Sequence, residues 1–319
     1  MEAILKVKNL KKYYKENKAV NGLSFDLYEG EILGLLGPNG AGKSTTINIL
    51  STILKHDEGE IKFFGRDILE NRKWIKSQLG IVPQELAIFE DIPAYKNVEF
   101  FTSLYGLSGK VLRKAVLEAL SMVGLEDKKD IKPITFSGGM KRRLNIACAI
   151  AHKPQILILD EPTVGIDPQS RNHILQSIKK LREGGTTIIY TTHYMEEVEE
   201  IADRVVIMDS GTKIAEGTLA ELMESYRNTR LYKIYIDSTS FQYMDRNKFK
   251  YDFFYEIEGI QKVVFTDNCF SITTIKEIEN LDKIILSLVD RNLKISHITS
   301  EEGNLEMIFL KLTGKKLRD

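Results

Sequence analysis

Residues Gly37-Pro38-Asn39-Gly40-Ala41-Gly42-Lys43-Ser44 have the types and the spacing to hold a nucleoside triphosphate. Glycines at these places let the backbone turn through positive φ and bring bare N–H groups against phosphate oxygens, where a Cβ would intrude. Lys43 is suited to the β- and γ-phosphates and Ser44 to Mg²⁺. A helix beginning near Lys43 would aim its positive end at the nucleotide. A second chemical group, Asp160-Glu161, closes the apolar run Ile156-Leu157-Ile158-Leu159. Acids at that point stand where a buried strand emerges, the place at which open α/β sheets bind ligands. Asp160 is suited to hold Mg²⁺ and Glu161 to polarise an attacking water.

The elements that must position these groups read as strands alternating with helices. Ile4–Val7, Gly22–Leu27 and Ile32–Gly37 have strand character, and the last is apolar throughout, as a strand buried on both faces should be. A helical, partly polar region runs from Pro93 to Gly124. Further strands are expected at Gln155–Asp160, Thr187–Thr191 and Val205–Asp209, separated by helices at Pro168–Glu183 and Met195–Ala202. This alternation predicts a mostly parallel sheet with helices on both faces.

Composition removes several alternatives. Lys and Arg number 45 and Asp and Glu 45, and the balance persists on either side of residue 227. A neutral chain of this kind offers no electrostatic support for nucleic acid as its main partner. Cys148 and Cys269 are the sole cysteines and neither sits in a C-x-x-C pair, which suits buried thiols in a reducing compartment. No apolar run approaches the roughly 18 residues of a membrane span. The expected location is therefore cytoplasmic. The other histidines, His56, His152, His173 and His297, lack ligand-type spacing and read as surface or packing residues.

Thr135-Phe136-Ser137-Gly138-Gly139-Met140-Lys141-Arg142-Arg143 resembles the signature motif of ATP-binding-cassette proteins. It stands with the loop at Gly37–Ser44 and the carboxylate strand, with Glu161-Pro162-Thr163-Val164-Gly165-Ile166-Asp167-Pro168, similar to the D-loop, and with His193, similar to the switch histidine. Gln84 matches the Q-loop, and Tyr14 matches the aromatic that stacks on adenine, with Tyr13 as the nearby alternative. The motifs span roughly residues 3 to 225. Phe136 departs from the Leu most common there but stays apolar.

The resemblance implies a P-loop cassette of α/β class over 1–227: a mostly parallel sheet, additional antiparallel strands and a helical subdomain at about 86–150. It implies ATP and Mg²⁺ as ligands. Tyr14, Gly37, Pro38, Asn39, Gly40, Ala41, Gly42, Lys43, Ser44, Thr45 and Gln84 would hold the nucleotide on one chain. Ser137, Gly138 and Gly139 would close on the γ-phosphate held by a second cassette, identical or related. Ser44, Gln84 and Asp160 would serve the metal, and Glu161, His193 and Lys43 the chemistry. Residues Ala87 to Tyr95 would form part of the surface that receives a membrane-spanning permease, placing the chain on the inner face of the cell membrane.

The remainder, 228–319, reads as a separate β-α-β-β-α-β unit of ferredoxin-like plan. Its expected parts are a strand at Arg230–Ser238, a helix at Phe241–Glu256, a hairpin of Ile260–Phe265 and Cys269–Thr274 around Asp267-Asn268, a helix at Glu277–Arg291 and a strand at Lys294–Thr299. RNA-recognition domains share this order, but the aromatic strand they use is absent. The closing Asn304–Gly314 resembles the end of ATPase subunits in the drug, antibiotic and sodium exporter branch. The expected function is the ATPase of an exporter with a separately encoded permease. The alternatives are an importer ATPase with a ligand-sensing tail and a soluble cassette protein outside transport.

Overall fold

Residues Ala3–Tyr14 and Asn17–Tyr28 form a long antiparallel pair, β1 and β2. Leu5 and Val7 alternate inward; a bulge around Asn9, whose φ is 47°, resets the parity so that Leu10 is also buried. β3 (Ile32–Leu36) is buried at each residue and leads into α1 (Lys43–Leu50). β4 (Glu58–Phe63) and β5 (Arg66–Asp67) complete an antiparallel sheet in the order β2-β1-β4-β5. α2 (Arg72–Gln78), β6 (Leu79–Val82), α3 (Ala94–Ser103), α4 (Gly109–Met122) and α5 (Gly138–Ile150) follow.

The chain then alternates β7 (Ile156–Asp160), α6 (Pro168–Glu183), β8 (Thr187–Thr192), α7 (Met195–Ile201), β9 (Arg204–Asp209) and β10 (Thr212–Thr218). A second sheet has the order β10-β9-β3-β8-β7-β6, parallel except for β10. β7 shows why its sequence is wholly apolar. Ile156 and Ile158 point into a core shared with the antiparallel sheet and α1, while Leu157 and Leu159 point into a core shared with α5 and α6. Strands covered on both faces cannot carry a polar alternation.

The computed structural model describes residues 3–224, 228–241, 251–302 and 305–313. Its packing divides into two compact units, Met1–Thr218 and Leu219–Leu317. The second contains α8 (Leu219–Glu224), β11 (Thr229–Ile236), β12 (Ile260–Thr266), β13 (Cys269–Ile275), α9 (Leu281–Val289), β14 (Ile295–Glu302) and α10 (Leu305–Thr313). Its sheet is antiparallel in the order β12-β13-β11-β14. Tyr232, Ile234, Phe270 and Ile272 face Ile284 and Leu288 of α9 across its core. The hairpin turn Asp267-Asn268 has φ of 51° and 60°, the positive pair that a two-residue turn requires.

The sequence expectation differs from this unit at three places. The division of packing falls ahead of residue 227 because α8 packs on α10. α9 starts at Leu281, not Glu277: Asn280 precedes it with its side chain turned away, donating to Glu258 O at 2.8 Å and to Thr274 Oγ1 at 2.7 Å. Of the helix expected over Phe241–Glu256, the segment 242–250 lies outside the described residues, and Asp252–Glu256 is a short 3₁₀ turn. Asn304 and Gly314 also lie outside the described residues.

Candidate active site

Three neighbouring parallel strands, β3, β8 and β7, deliver their C-terminal ends to one place. The loop after β3 turns at Gly40 (φ 82°) and Gly42 (φ 100°). Gly42 is obligatory on a second count, since a Cβ there would run into the Ala19 carbonyl. Ala41 N–H donates to Pro38 O at 3.1 Å, which closes the turn. Lys43 is buried to 4% exposure, and its ammonium donates to Gly37 O at 2.7 Å and to Pro38 O at 3.2 Å.

From β7, Asp160 and Glu161 arrive beside it. Glu161 Oε1 lies 3.1 Å from Lys43 Nζ, and Glu161 Oε2 lies 3.3 Å from His193 Nδ1, the residue that follows β8. Glu161 has φ of 46°, in the left-handed region that a non-glycine residue enters at a cost. Its N–H is held by Thr191, through Oγ1 at 3.0 Å and the carbonyl at 3.2 Å, so the strained turn fixes where the carboxylate points. Asp160 Oδ1 accepts from Thr191 Oγ1 at 2.6 Å and from Ser44 Oγ at 3.5 Å. A hydroxyl and a carboxylate thus face each other across the mouth of the loop.

The cavity in front of these groups has a volume of about 260 Å³. Tyr14, Asn39, Gly40, Gly42, Lys43, Ser44, Thr45, Gln84 and Glu161 line it. Tyr14 is 48% exposed, free to offer a ring face. Gln84 is fixed through its backbone: Arg142, buried in α5, donates to Pro83 O at 2.8 Å and to Gln84 O at 2.6 Å. Gly37, Pro38 and Ala41 build the loop behind the lining, Asp160 reaches it through Ser44 and His193 through Glu161. Ser137, Gly138 and Gly139 are not brought to this cavity.

The profile of the family described as ABC transporter matches residues 20–164. The linearmycin resistance ATP-binding protein LnrL of Bacillus subtilis is 40% identical over 99% of this chain and 100% of its own length. The chain belongs to the ABC transporter family. Nod factor export ATP-binding protein I of Burkholderia orbicola is 33% identical over 98% of the chain and 97% of its length. Among solved structures, the dimeric MJ0796, a bacterial ABC transporter cassette, shares 31% identity at a TM-score of 0.62, over 67% of this chain and 98% of its own. The cbiO1 subunit from Clostridium perfringens, part of the cbiONQ transporter complex, shares 32% at a TM-score of 0.65, over 70% of this chain and 92% of its own.

In this ABC transporter chain the signature residues open α5, apart from the cavity. Ser137 is the N-cap of α5, its hydroxyl accepting from Met140 N–H at 3.3 Å, and Ser137 and Gly138 are exposed. Gly139 is buried instead, with no space for a Cβ against Ser170 of α6. In the segment Ala87–Tyr95, Phe89 is 46% exposed and packs on Phe100 and Phe101 at ring-centroid distances of 5.3 Å and 5.9 Å. Asn97, fully buried, holds that segment by accepting from Phe89 N–H at 2.7 Å and donating to Phe89 O at 2.9 Å.

Thr191, Asn17 and Ala19 escape motif reading, and so does the hold of Arg142, itself inside the signature stretch, on the Gln84 backbone. Thr191 belongs to the site because β8 pairs it with Asp160. Asn17 and Ala19 belong to it because β2 passes beside the loop. Such partners are set by strand register, which spacing along one chain does not contain.

Proposed function

We propose that this chain is the ATP-binding and ATP-hydrolysing subunit that powers export through a separately encoded membrane permease. One observation carries the chemistry: Glu161 stands between Lys43 at 3.1 Å and His193 at 3.3 Å, at the mouth of a phosphate-ready loop. The direction of transport rests on the relatives, since resistance and Nod factor export proteins align with nearly the whole chain. No helix among the described residues is long and apolar enough to cross a membrane. This agrees with a subunit that sits on the membrane through its partner.

In this reading the N–H groups of the Gly37–Thr45 segment and the Lys43 ammonium hold the β- and γ-phosphates, with Tyr14 stacking on the adenine. The Ser44 hydroxyl, the Asp160 carboxylate and Gln84 are oxygen donors suited to Mg²⁺, which favours hard oxygen ligands. Bound there, Mg²⁺ supplies charge neutralisation on the β- and γ-oxygens. Glu161 orients and polarises the water, His193 contacts the γ-phosphate, and positioning with charge stabilisation supplies most of the acceleration. The turn Ser137–Gly139, exposed at Ser137 and Gly138, closes on the nucleotide of a second cassette, so that ATP draws two chains together and hydrolysis releases them. The unit that ends at Thr218 is the engine, and the unit that begins at Leu219 is a ferredoxin-like accessory domain of the exporter branch.

Glu161→Gln tests the assignment: ATP binding is retained, steady-state hydrolysis is lost and a dimer accumulates on ATP addition in gel filtration. Undiminished hydrolysis would sink it. The proposed permease contact is the Ala87–Tyr95 segment, where Phe89 is exposed; charge introduced at Phe89 removes co-purification with a multi-span protein while ATP binding persists.

A further inference from the structure

Behind His193 lies a buried carboxylate that the proposed chemistry does not use. Glu197, in the first turn of α7, is 2% exposed. Burying a carboxylate is costly unless hydrogen bonds and a counter-charge offset the lost hydration. Its Oε2 accepts from Tyr190 Oη at 2.8 Å and from Thr192 Oγ1 at 2.9 Å. The counter-charge is Arg171 of α6, whose Nε is 3.4 Å from Oε1.

These contacts surround the switch position. Thr192, immediately before His193, gives its hydroxyl proton to Glu197 and accepts Tyr194 N–H on the same oxygen at 3.0 Å. The main chain is therefore held on both sides of His193. Arg171 also lies over the Tyr194 ring, 4.8 Å from its centroid, and that ring is 4.2 Å from the ring of His193. The residue before Arg171 is Ser170, against which Gly139 of the signature turn is packed. Burial and the neighbouring Glu197 push the Tyr190 phenol well up, so it stays a neutral donor.

We propose that Glu197 is a positioning residue for His193, clamping the main chain on either side of the switch histidine and tying it through Arg171 to the first turn of α6, beside the signature turn. The clamp and the tie to Arg171 together need an acceptor with no protons of its own, because both hydroxyls reach Oε2 while Arg171 faces Oε1. A glutamine in its place gives up one side: with its oxygen towards Tyr190 and Thr192 its NH₂ meets the Arg171 guanidinium, and with its oxygen towards Arg171 its NH₂ meets the two hydroxyls. This role rests on His193 serving the reaction as proposed above.

Single-turnover and steady-state ATP hydrolysis by the full-length chain test it. Glu197→Gln lowers kcat about ten- to a hundredfold, the scale of a small misplacement of a reacting group, while KM for ATP changes less than about threefold. Added to His193→Ala, it lowers turnover no further, because its whole effect passes through that ring. Thr192→Val, which removes the same link at nearly the same volume, reproduces the split if Glu197→Gln fails to fold. An unchanged kcat in Glu197→Gln and Thr192→Val, with His193→Ala slowed, overturns the positioning role. So does a multiplicative loss in the double variant, the sign of a general structural effect. Full turnover in His193→Ala overturns the reading of the site itself, and this role with it.

Discussion

Two helix N-termini in this chain are built for an anion, and they are equipped differently. At α1 the loop is walled in by its own chain: Lys43 is buried, Glu161 and Asp160 converge on it, and Thr191 fixes both acids. At α5 the cap Ser137 and the following Gly138 are exposed, and the nearby cation Lys141 is paired with Glu90 at 2.8 Å. A helix end alone is worth only about 0.3–1 kcal/mol toward a charge, far short of what holds a triphosphate. In the proposed reading the first site binds by itself, and the second acts on a phosphate presented to it by another molecule.

The largest effect separating the two should come from Lys43→Ala. It removes the buried cation, and ATP affinity measured on the monomer falls by at least about a hundredfold, with hydrolysis abolished, as expected when about 3 kcal/mol of phosphate contact is lost. Equal binding by the variant would erase the distinction. Gly138→Asp attacks the other terminus: a Cβ there meets only the end of Ile166, at 3.7 Å, so the fold tolerates it, while a carboxylate repels phosphate. Monomer affinity for ATP should change less than about twofold, yet turnover should fall about a hundredfold, since a like charge at a closing anion site costs several kcal/mol.

A smaller effect concerns scaffold alone. Gly139→Ala sets a methyl against Ser170, and denaturant unfolding should show a loss of about 1–3 kcal/mol, the usual price of overpacking. Ser170→Gly should restore most of it. The smallest effect lies just beyond the far end of α5, where His152 stacks on Tyr105 at 3.5 Å and binds Leu79 O at 3.0 Å. Burial pushes its imidazole down to about 4. The unfolded chain therefore takes up the proton first as pH falls below about 6.5, so stability contributed above that value is lost towards pH 4. Urea titrations at pH 7 and pH 5 should differ by about 1–2 kcal/mol on this account, and His152→Gln should flatten the difference.

Legibility in the sequence followed burial. α6 was readable at both bounds, Pro168 and Glu183, and the structure shows why: Asp167 caps it, Pro168 opens it and Gly184 follows it, all local chemistry. β3, β7 and β8 were readable because strands covered on both faces are apolar runs through their middle, with polar residues only towards the ends, as at Asp160, Thr187, Thr191 and Thr192. β4, β5, β6, α2 and β10 were missed: they are short or carry charge on an open face, as Glu58–Phe63 does, and so leave a weak periodic signal. In the second unit Glu277 to Asn280 looked helical by propensity, but the buried Asn280 spends its side chain on Glu258 and Thr274.

By itself the sequence determined what each element could be and which groups could do chemistry, because the loop at Gly37–Ser44, the acids after β7 and the cap at Ser137 are written in consecutive residues. It also singled out Ser137–Gly139 as a candidate anion site. Only the tertiary structure decided which of these meet. Parallel pairing of β3, β8 and β7 set Lys43, Glu161 and His193 within hydrogen-bonding reach, and the register that pairs Asp160 with Thr191 fixed the acids. The packing of α5 on α6 faced the exposed part of the signature turn away from its own cavity. Such meetings join residues far apart in the chain, and their geometry is fixed by sheet register and helix packing, which no local pattern of residues encodes.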